Sequence, residues 1–351
     1  MAAVPARRSR WRDPRVWLGL ALTGFFLWLV MRDVPFEAVA RDIARARWGP
    51  LLGLSIPAYL LAVYLRALRW RHLTNPIQRI PTGPLFRAVA VGFMANNIFP
   101  LRMGEVARSW YLARETGVGV PAVFGTIVLE RVLDIVTVVG LAFGVIAVWG
   151  AGSENAIARG AVLLLPAAAV PIVVLAGLRV APERVIAAAL WFLRPFPRPI
   201  SAFTERALRG FSQGLGALRG GRHLFWIAFH SLTIWLVAST IPLIAGFLAL
   251  GIEFASPSQA LQAAWITLAA IGVFVAVPSA PGFFGSYHLA CKLALASFGV
   301  SPESAVALGT LCHLVFWVSL TALGLVVLRV RQTSLVEVDE AAAGGDGVSS
   351  R

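Results

Sequence analysis

The sequence predicts an all-α polytopic membrane protein, and three observations carry that prediction. The 351 residues are 58% hydrophobic and only 14% charged, where a soluble domain carries about a quarter charged residues. Mean hydropathy is +0.77, and apolar runs of about twenty residues, the length that crosses a bilayer, recur from end to end. The charges gather in the gaps between those runs. Basic residues number 31 against 17 acidic, a formal charge of +14, and every base except Lys292 is Arg. In a soluble chain this excess suggests nucleic acid. Here it sits where it fixes topology and meets anionic headgroups, so no nucleic-acid partner is expected.

The elements follow in order. Residues 1–15, MAAVPARRSRWRDPR, form a basic N-terminal segment. No small-residue cleavage site follows it, so the run 16–31 reads as a retained first span and not as a signal peptide. After a mixed segment, 32–50, the run 51–65 is the second. The region 85–101 is interrupted by Arg87 and broken at Asn96, Asn97 and Pro100. A polar amphipathic piece, 102–115, leads into the long apolar region 118–149. The run 161–178 carries Pro166 and Pro171, which kink it. A Pro- and Arg-rich connection, 179–222, follows, with an interfacial helix expected over 201–218. The run 224–250 spans again, 260–277 ends in PSAPGFFGSY, 287–298 resumes, and 306–330 is the last span. Residues 331–351 are acidic, contain Gly and Ser, and are expected to be disordered. Cys291 and Cys312 lie in apolar stretches as buried thiols, and nothing in the His, Cys and acid spacing calls for a metal or a cofactor.

Charge counting orients the chain. Residues 1–15 carry net +4, 66–87 net +5 and 179–222 net +6, whereas 150–160 is neutral and 251–259 is net −1. The positive-inside rule makes the three basic segments cytoplasmic, with both termini on the cytoplasmic side. The region 85–101 must then return to its own side as a re-entrant hairpin, 85–115. About 13 residues at 1.5 Å each cover roughly 20 Å, too little for a ~30 Å core. By the same count 260–298 forms a second hairpin entering from the opposite face. The expected domain is therefore a single unit, 16–330, of about six full spans. Its first half, 51–178, and second half, 224–330, each hold one hairpin, as in an inverted repeat with a midplane site. The alternative is two kinked full spans.

Three polar constellations lie inside this apolar frame. In the first, Pro100 and Gly104 bracket a turn that starts a helix, and Glu105 and Arg108 share a face of it. Arg102 stands at that helix start, where the dipole does not favour a cation. It needs an anionic headgroup, Glu105 or Glu130 beside it, while Asn96 and Asn97 can donate and accept where the backbone opens. In the second, Glu130 and Asp134 share a helix face with Arg131 between them, at a depth where ionisable groups face a partner or a cavity. The third is the break at Pro281, Gly282 and Gly285, followed by Ser286, Tyr287 and His288. A helix starting at Ser286 offers N–H groups to a phosphate or carboxylate. His313 reads as a packing histidine. No HExxH, Walker A, GxSxG, CxxC or Asp-rich metal cluster is present, so catalysis would rest on Glu105, Glu130 and Asp134.

With these residues in view, the chain resembles the flippase-like integral membrane family related to the transmembrane domain of lysylphosphatidylglycerol synthases. NNIFPLRMGEVAR resembles that family's Asn…Pro-x-Arg-x-Gly-Glu-x-x-Arg motif through Asn97, Pro100, Arg102, Gly104, Glu105 and Arg108. ERVLD matches its Glu-Arg-x-x-Asp motif at Glu130, Arg131 and Asp134. PSAPGFFGSYH resembles its Pro-Gly-x-x-Gly break at Pro281, Gly282 and Gly285. Many relatives carry an acid after that last Gly, where Ser286, Tyr287 and His288 stand here. The resemblance covers roughly 15–330, and the soluble aminoacyl-transferase domain of the synthases is not expected.

The resemblance implies movement of a lipid between leaflets, with a membrane phospholipid or a polyprenyl-phosphate lipid as the substrate. Arg102, Arg108 and Arg131 would meet the phosphate, and Glu105, Glu130 and Asp134 would orient them. Two rival readings stand beside it. One is a membrane-embedded transferase or phosphatase acting on a lipid or polyprenyl phosphate. The other is a scaffold for a separate lipid-modifying enzyme.

Overall fold

The apolar runs fold as helices, and among the described residues there is no strand. The computed structural model describes residues 14–99, 103–149, 221–276 and 281–342, and parts of 173–212. The helices are α1 (Pro14–Met31), α2 (Phe36–Arg45), α3 (Trp48–Thr74), α4 (Thr82–Ile98), α5 (Gly104–Thr116) and α6 (Val120–Trp149). Then come α7 (Pro182–Phe192), α8 (Gly221–Thr233), a π-helical turn (Ile234–Ala238), α9 (Ile241–Leu250), α10 (Pro257–Ala276), α11 (Ser286–Ala296), α12 (Pro302–Val330) and α13 (Leu335–Ala342). Among the described residues, four stretches are long and apolar enough to cross a membrane: Trp48–Thr74, Gly221–Leu250, Pro257–Val275 and Pro302–Val330. The 30 residues of α6 add a further long helix that carries Glu130, Arg131 and Asp134.

Helix ends follow local chemistry. Ser301 caps α12 by accepting the N–H of Ser304 at 3.2 Å, with Pro302 and Glu303 in the first turn, as an N-terminus favours. Gly117, at φ +74°, ends α5 in the left-handed region that glycine adopts most readily. The π turn donates Ser239 N–H back five residues to the Ile234 carbonyl and joins α8 to α9 within one apolar stretch.

α12 is the spine of the bundle, and small residues let its neighbours approach. Gly324 meets Met94 and the Ala90 carbonyl of α4, Gly309 meets His288 and Cys291 of α11, and Gly246 of α9 meets Leu308 and Cys312. α4 and α5 form an antiparallel helical hairpin. At its outer end Arg87 Nε and Nη2 hold the Glu115 carboxylate at 3.1 Å. At its inner end a methyl on Gly104 would run into the Gly92 carbonyl and the Asn96 side chain. α10 and α11 pack together across a turn, Pro281–Phe283, in which Gly282 and Phe283 have φ of +71° and +62°. Gly285 (φ +87°) follows, and a methyl there would lie 2.6 Å from Phe26 Cβ, so α1 seats against this break. Lys292 Nζ donates to the Val30 carbonyl at 3.0 Å and fixes the same contact.

Several expected boundaries change. The mixed segment 32–50 contains α2, whose Asp42 accepts a 2.8 Å hydrogen bond from Ser304. The basic segment 66–87 is not wholly an aqueous loop, because α3 continues through Thr74 and carries Arg66 and Arg69 into the bundle. The acidic tail is not disordered throughout. Residues 335–342 form α13, which buries Val338 completely and pairs Glu337 with Arg114 of α5. Burial of an apolar residue and a cross-helix ion pair offset the ordering of so short a helix. Residues 1–13 and 343–351, most of the run 161–178, and 213–218 of the expected interfacial helix lie outside the described residues.

Candidate functional site

Glu130 and Asp134 are one turn apart on α6 and so project from one face. Around them stand guanidinium groups from three helices. Arg108 of α5 forms a bidentate pair with Glu130, Nη1 to Oε1 at 2.8 Å and Nη2 to Oε2 at 3.0 Å. Arg69 of α3 is fully buried; it donates to Asp134 Oδ1 at 2.8 Å and to Ser231 Oγ of α8 at 3.0 Å. Its second nitrogen is 3.7 Å from Glu130 Oε1. Arg131 reaches Glu130 Oε1 at 2.9 Å and Asp134 Oδ2 at 3.2 Å, and its side chain is 37% exposed. Trp235, placed by the π turn, donates its indole N–H to Asp134 Oδ1 at 3.2 Å.

Burial makes the pairing obligatory, since an isolated charge at this depth costs several kcal/mol. The Arg108 guanidinium also stacks on Trp70, 3.6 Å from the ring centroid, and Trp70 is fixed by donating to Thr126 Oγ1 at 2.8 Å. Arg108 therefore has both faces of its function taken, one by an acid and one by a ring. Arg66 is different. It is 8% exposed and has no carboxylate within 4.0 Å among the described residues. Its guanidinium carbon lies 5.5 Å from the Phe93 ring and 5.9 Å from the Trp235 ring.

Arg66 and Arg131 open onto a cavity of about 180 Å³. Its walls come from α3, α4, α6, the π turn, α9, α10, α11 and α12, and both helical hairpins contribute. Most of the lining is apolar or aromatic. Tyr59, seven residues from Arg66 and so about 10 Å along α3, lines the cavity with Tyr287 and His313. The Tyr59 hydroxyl donates to the Cys312 carbonyl at 3.1 Å. Tyr287 stacks on His313 at 4.8 Å between centroids and 12° between planes. Such a space, apolar along its walls and cationic at one end, suits an amphiphile with an anionic head.

The predicted residues divide around this cavity. Glu130, Arg131, Asp134 and Arg108 come together in the charge cluster. Asn96 lines the cavity and caps α5, its Oδ1 accepting the Gly104 N–H at 2.8 Å. Asn97 turns away and donates to Thr321 Oγ1 at 3.0 Å and the Trp317 carbonyl at 3.3 Å on α12. Glu105 is partly buried in the first turn of α5, within electrostatic reach of Arg131. Tyr287 lines the cavity, whereas Ser286 closes the break by donating to the Phe283 carbonyl at 3.1 Å. His288 is buried beside Phe284 and His313, off the cavity lining. Pro100 and Arg102 lie outside the described residues.

Sequence reasoning missed Arg66, Arg69, Trp70 and Trp235 as members of the site. A signal was there: on a helix that continues past residue 65, Arg66, Arg69 and Trp70 fall at i, i+3 and i+4 of one face. Among the described residues, no group of three His, Cys, Asp or Glu side chains is placed to hold a metal ion.

Comparison with known proteins places this geometry in context. A model of the family described as the lysylphosphatidylglycerol synthase TM region matches residues 16–324. A curated protein named glycosyltransferase AglD, from Haloferax volcanii, is 25% identical over 291 residues, covering 76% of this chain and 46% of that protein. The chain thus spans about half the length of the curated relative it matches. No solved structure matches it.

Proposed function

Because the chain belongs to the lysylphosphatidylglycerol synthase TM-region family and is a multi-pass helical membrane protein, we propose that it is a lipid translocase. It moves an anionic or phosphate-bearing lipid between the leaflets of a bacterial inner membrane, with both termini cytoplasmic. The observation that carries this reading is the cavity between the two helical hairpins, whose only charged lining residues among the described ones are Arg66 and Arg131. In this reading the hairpins α4–α5 and α10–α11 are re-entrant, enter from opposite faces and meet at the cavity. The phosphate rests on Arg66 and Arg131 while the tails stay in lipid.

The ion-pair cluster suits that task. When a phosphate arrives, Arg131 turns to it, and Glu130 keeps Arg108 while Asp134 keeps Arg69. No charge of the ion-pair cluster is then left buried without a partner in either state, and Arg66 gains in the phosphate an anionic partner that it lacks in the empty cavity. Arg108, assigned by the sequence to the headgroup, becomes the clamp that holds α5 to α6.

A second reading has one observation in its favour, the glycosyltransferase name of the Haloferax volcanii protein. Under it the cavity would hold a lipid phosphate for group transfer. The geometry supports it less well, because both oxygens of Glu130 are engaged by arginine and form a poor base.

The test is reconstitution in liposomes with fluorescent phospholipids and prenyl phosphates, comparing wild type with Arg66→Gln and Arg131→Gln at equal folded amounts. Transport lost in both variants supports the translocase and its site. Full transport in both overturns the site, and turnover of a lipid by the protein alone favours the transferase.

A further inference from the structure

Three arginines stand near the start of α4 and the ends of α5 and α12, and the bundle supplies this face with one acid. Arg87 Nε of α4 and Arg331 Nη2, one residue past α12, reach Glu115 Oε1 at 3.1 and 3.0 Å. Arg114 of α5 takes its acid from the tail, from Glu337 of α13. Among the described residues no other carboxylate lies within 4.0 Å of Arg114. Its side chain is 46% exposed, and its guanidinium carbon lies 5.3 Å from the centroid of the Trp110 ring. Tryptophan beside arginine at the end of a helix is a pairing that bilayer headgroups favour. Stripped of α13, the face would set Arg87, Arg114 and Arg331 against Glu115 alone.

The cover is acidic and lightly held. α13 carries Glu337, Asp339 and Glu340 and no base. Thr333 N–H donates back to the Leu328 carbonyl at 3.0 Å, and Gln332 takes φ +51°, the left-handed conformation that glycine usually supplies at a helix end. This turn folds α13 back onto α5, where Val338 is fully buried. An eight-residue helix does not hold itself, and an exposed ion pair adds little. The valine contact is therefore the main hold. α12 is a span by length and hydropathy, so the turn that follows it lies at the edge of the bilayer. A negative leaflet there acts on the two parts with opposite sign: it attracts Arg114 and Arg331 and repels the acids of α13. The valine contact carries no charge and does not respond.

We propose that the face of Arg114 and Arg331 is a docking site for anionic phospholipid headgroups of the leaflet beside it, and that α13 is its intramolecular competitor. The helix is a strap, docked beside neutral lipid and released beside anionic lipid. This requires neither the cavity nor translocation. It does give the charge of the leaflet a handle on the α4–α5 hairpin. The last turns of α5 lie under the strap, and the same helix carries Arg108, clamped to Glu130.

Hydrogen exchange of the full chain in nanodiscs tests this, with phosphatidylcholine alone compared with an equal mixture of phosphatidylcholine and phosphatidylglycerol. At low salt, exchange in α13 is expected to rise about tenfold or more in the mixture, the gain of one or two arginines at an anionic surface. α4 and α12 stay protected in both. Molar salt is expected to reverse the release, because it screens the charges and spares the valine contact. Inorganic phosphate added to phosphatidylcholine nanodiscs is expected to release nothing, since the charge acts from the bilayer surface. Neutralising the strap with Glu337→Gln, Asp339→Asn and Glu340→Gln together is expected to remove the difference between the two lipids. Competition is reciprocal. Val338→Ser, which undocks α13 without adding charge, should therefore retain more phosphatidylglycerol than wild type in native mass spectrometry, and Arg114→Gln added to it should cancel the gain. Equal exchange of α13 in both nanodiscs overturns the proposal. So do release by free phosphate, release that persists in molar salt, and a Val338→Ser chain that retains no more phosphatidylglycerol than wild type.

Discussion

The Arg108 guanidinium lies 3.6 Å from the centroid of the Trp70 ring while its two terminal nitrogens hold both oxygens of Glu130. One residue of α5 is thereby fixed to α3 through a ring and to α6 through an acid. A side chain held on both sides is a clamp, and in the proposed translocase the lipid-facing role passes to Arg66 and Arg131.

Removing the shared acid should unfold the bundle more readily than any other single change in the cluster. Glu130→Gln leaves Arg108, Arg131 and Arg69 without their common carboxylate. Loss of one partner from a buried pair costs about 3–5 kcal/mol. Thermal melting in detergent should show a large downward shift. An unchanged melting temperature would contradict the clamp.

Arg66→Gln should do the opposite. The wild-type guanidinium is buried without a carboxylate partner among the described residues, so neutralising it removes a desolvation cost. The variant should melt at or above the wild-type temperature while lipid movement falls about tenfold or more, as for loss of a charge-assisted hydrogen bond. Reduced stability with full transport would reverse the assignment.

The two hairpins depend on particular glycines. Gly104→Ala places a methyl against the Gly92 carbonyl and Asn96 and should cost about 1–3 kcal/mol through overpacking. Gly285→Ala adds a contact at 2.6 Å to Phe26 and strain at φ +87°. Gly140→Ala in α6 meets nothing within 4 Å and should be neutral or stabilising by up to about 1 kcal/mol. Chemical denaturation of the three variants in parallel is the check. Equal losses at all three positions would argue against close packing at the breaks.

The C-terminal helix should be separable from the core. Val338→Asp removes its fully buried apolar residue and weakens the neighbouring Glu337–Arg114 pair. Burial of a valine is worth about 1.5–3 kcal/mol, comparable to the whole stability of a docked eight-residue helix. Hydrogen exchange should rise in α13 and in the last turn of α5 while α4 and α12 stay protected. Unchanged exchange in α13 would mean that other contacts hold it.

Much of the molecule was legible in its sequence, for reasons that can be named. The helical class followed from run length and hydropathy, and the hairpin breaks from Gly and Pro at positions whose backbone requires them, as at Gly282 and Gly285. Glu130, Arg131 and Asp134 were visible because charge inside a long apolar run is rare. Arg66 and Arg69 were hidden because charge counting treats a base at the end of an apolar run as aqueous. Only the continuation of α3 to Thr74 turns them inward. Asn96 and Asn97 look equivalent in sequence, yet about 100° of helix rotation sends one to the cavity and the other to α12. The tail helix was invisible because its order comes from α5 and not from its own propensity.

The π turn at Ile234–Ala238 has a consequence for how this chain tolerates changes in length. Closing a hydrogen bond over five residues shifts the phase of everything downstream relative to an unbroken α-helix. Upstream of the shift, Ser231 answers to Arg69, and within it Trp235 answers to Asp134. Downstream, Gly246 answers to Leu308 and Cys312 on a different neighbour. The stretch is two keyed half-helices sharing one backbone. Deleting a single residue within the turn would remove its extra residue and keep Gly246 in its notch, whereas a deletion elsewhere in the stretch would rotate α9 by about 100°. This turn is therefore where the stretch should best absorb the loss of one residue.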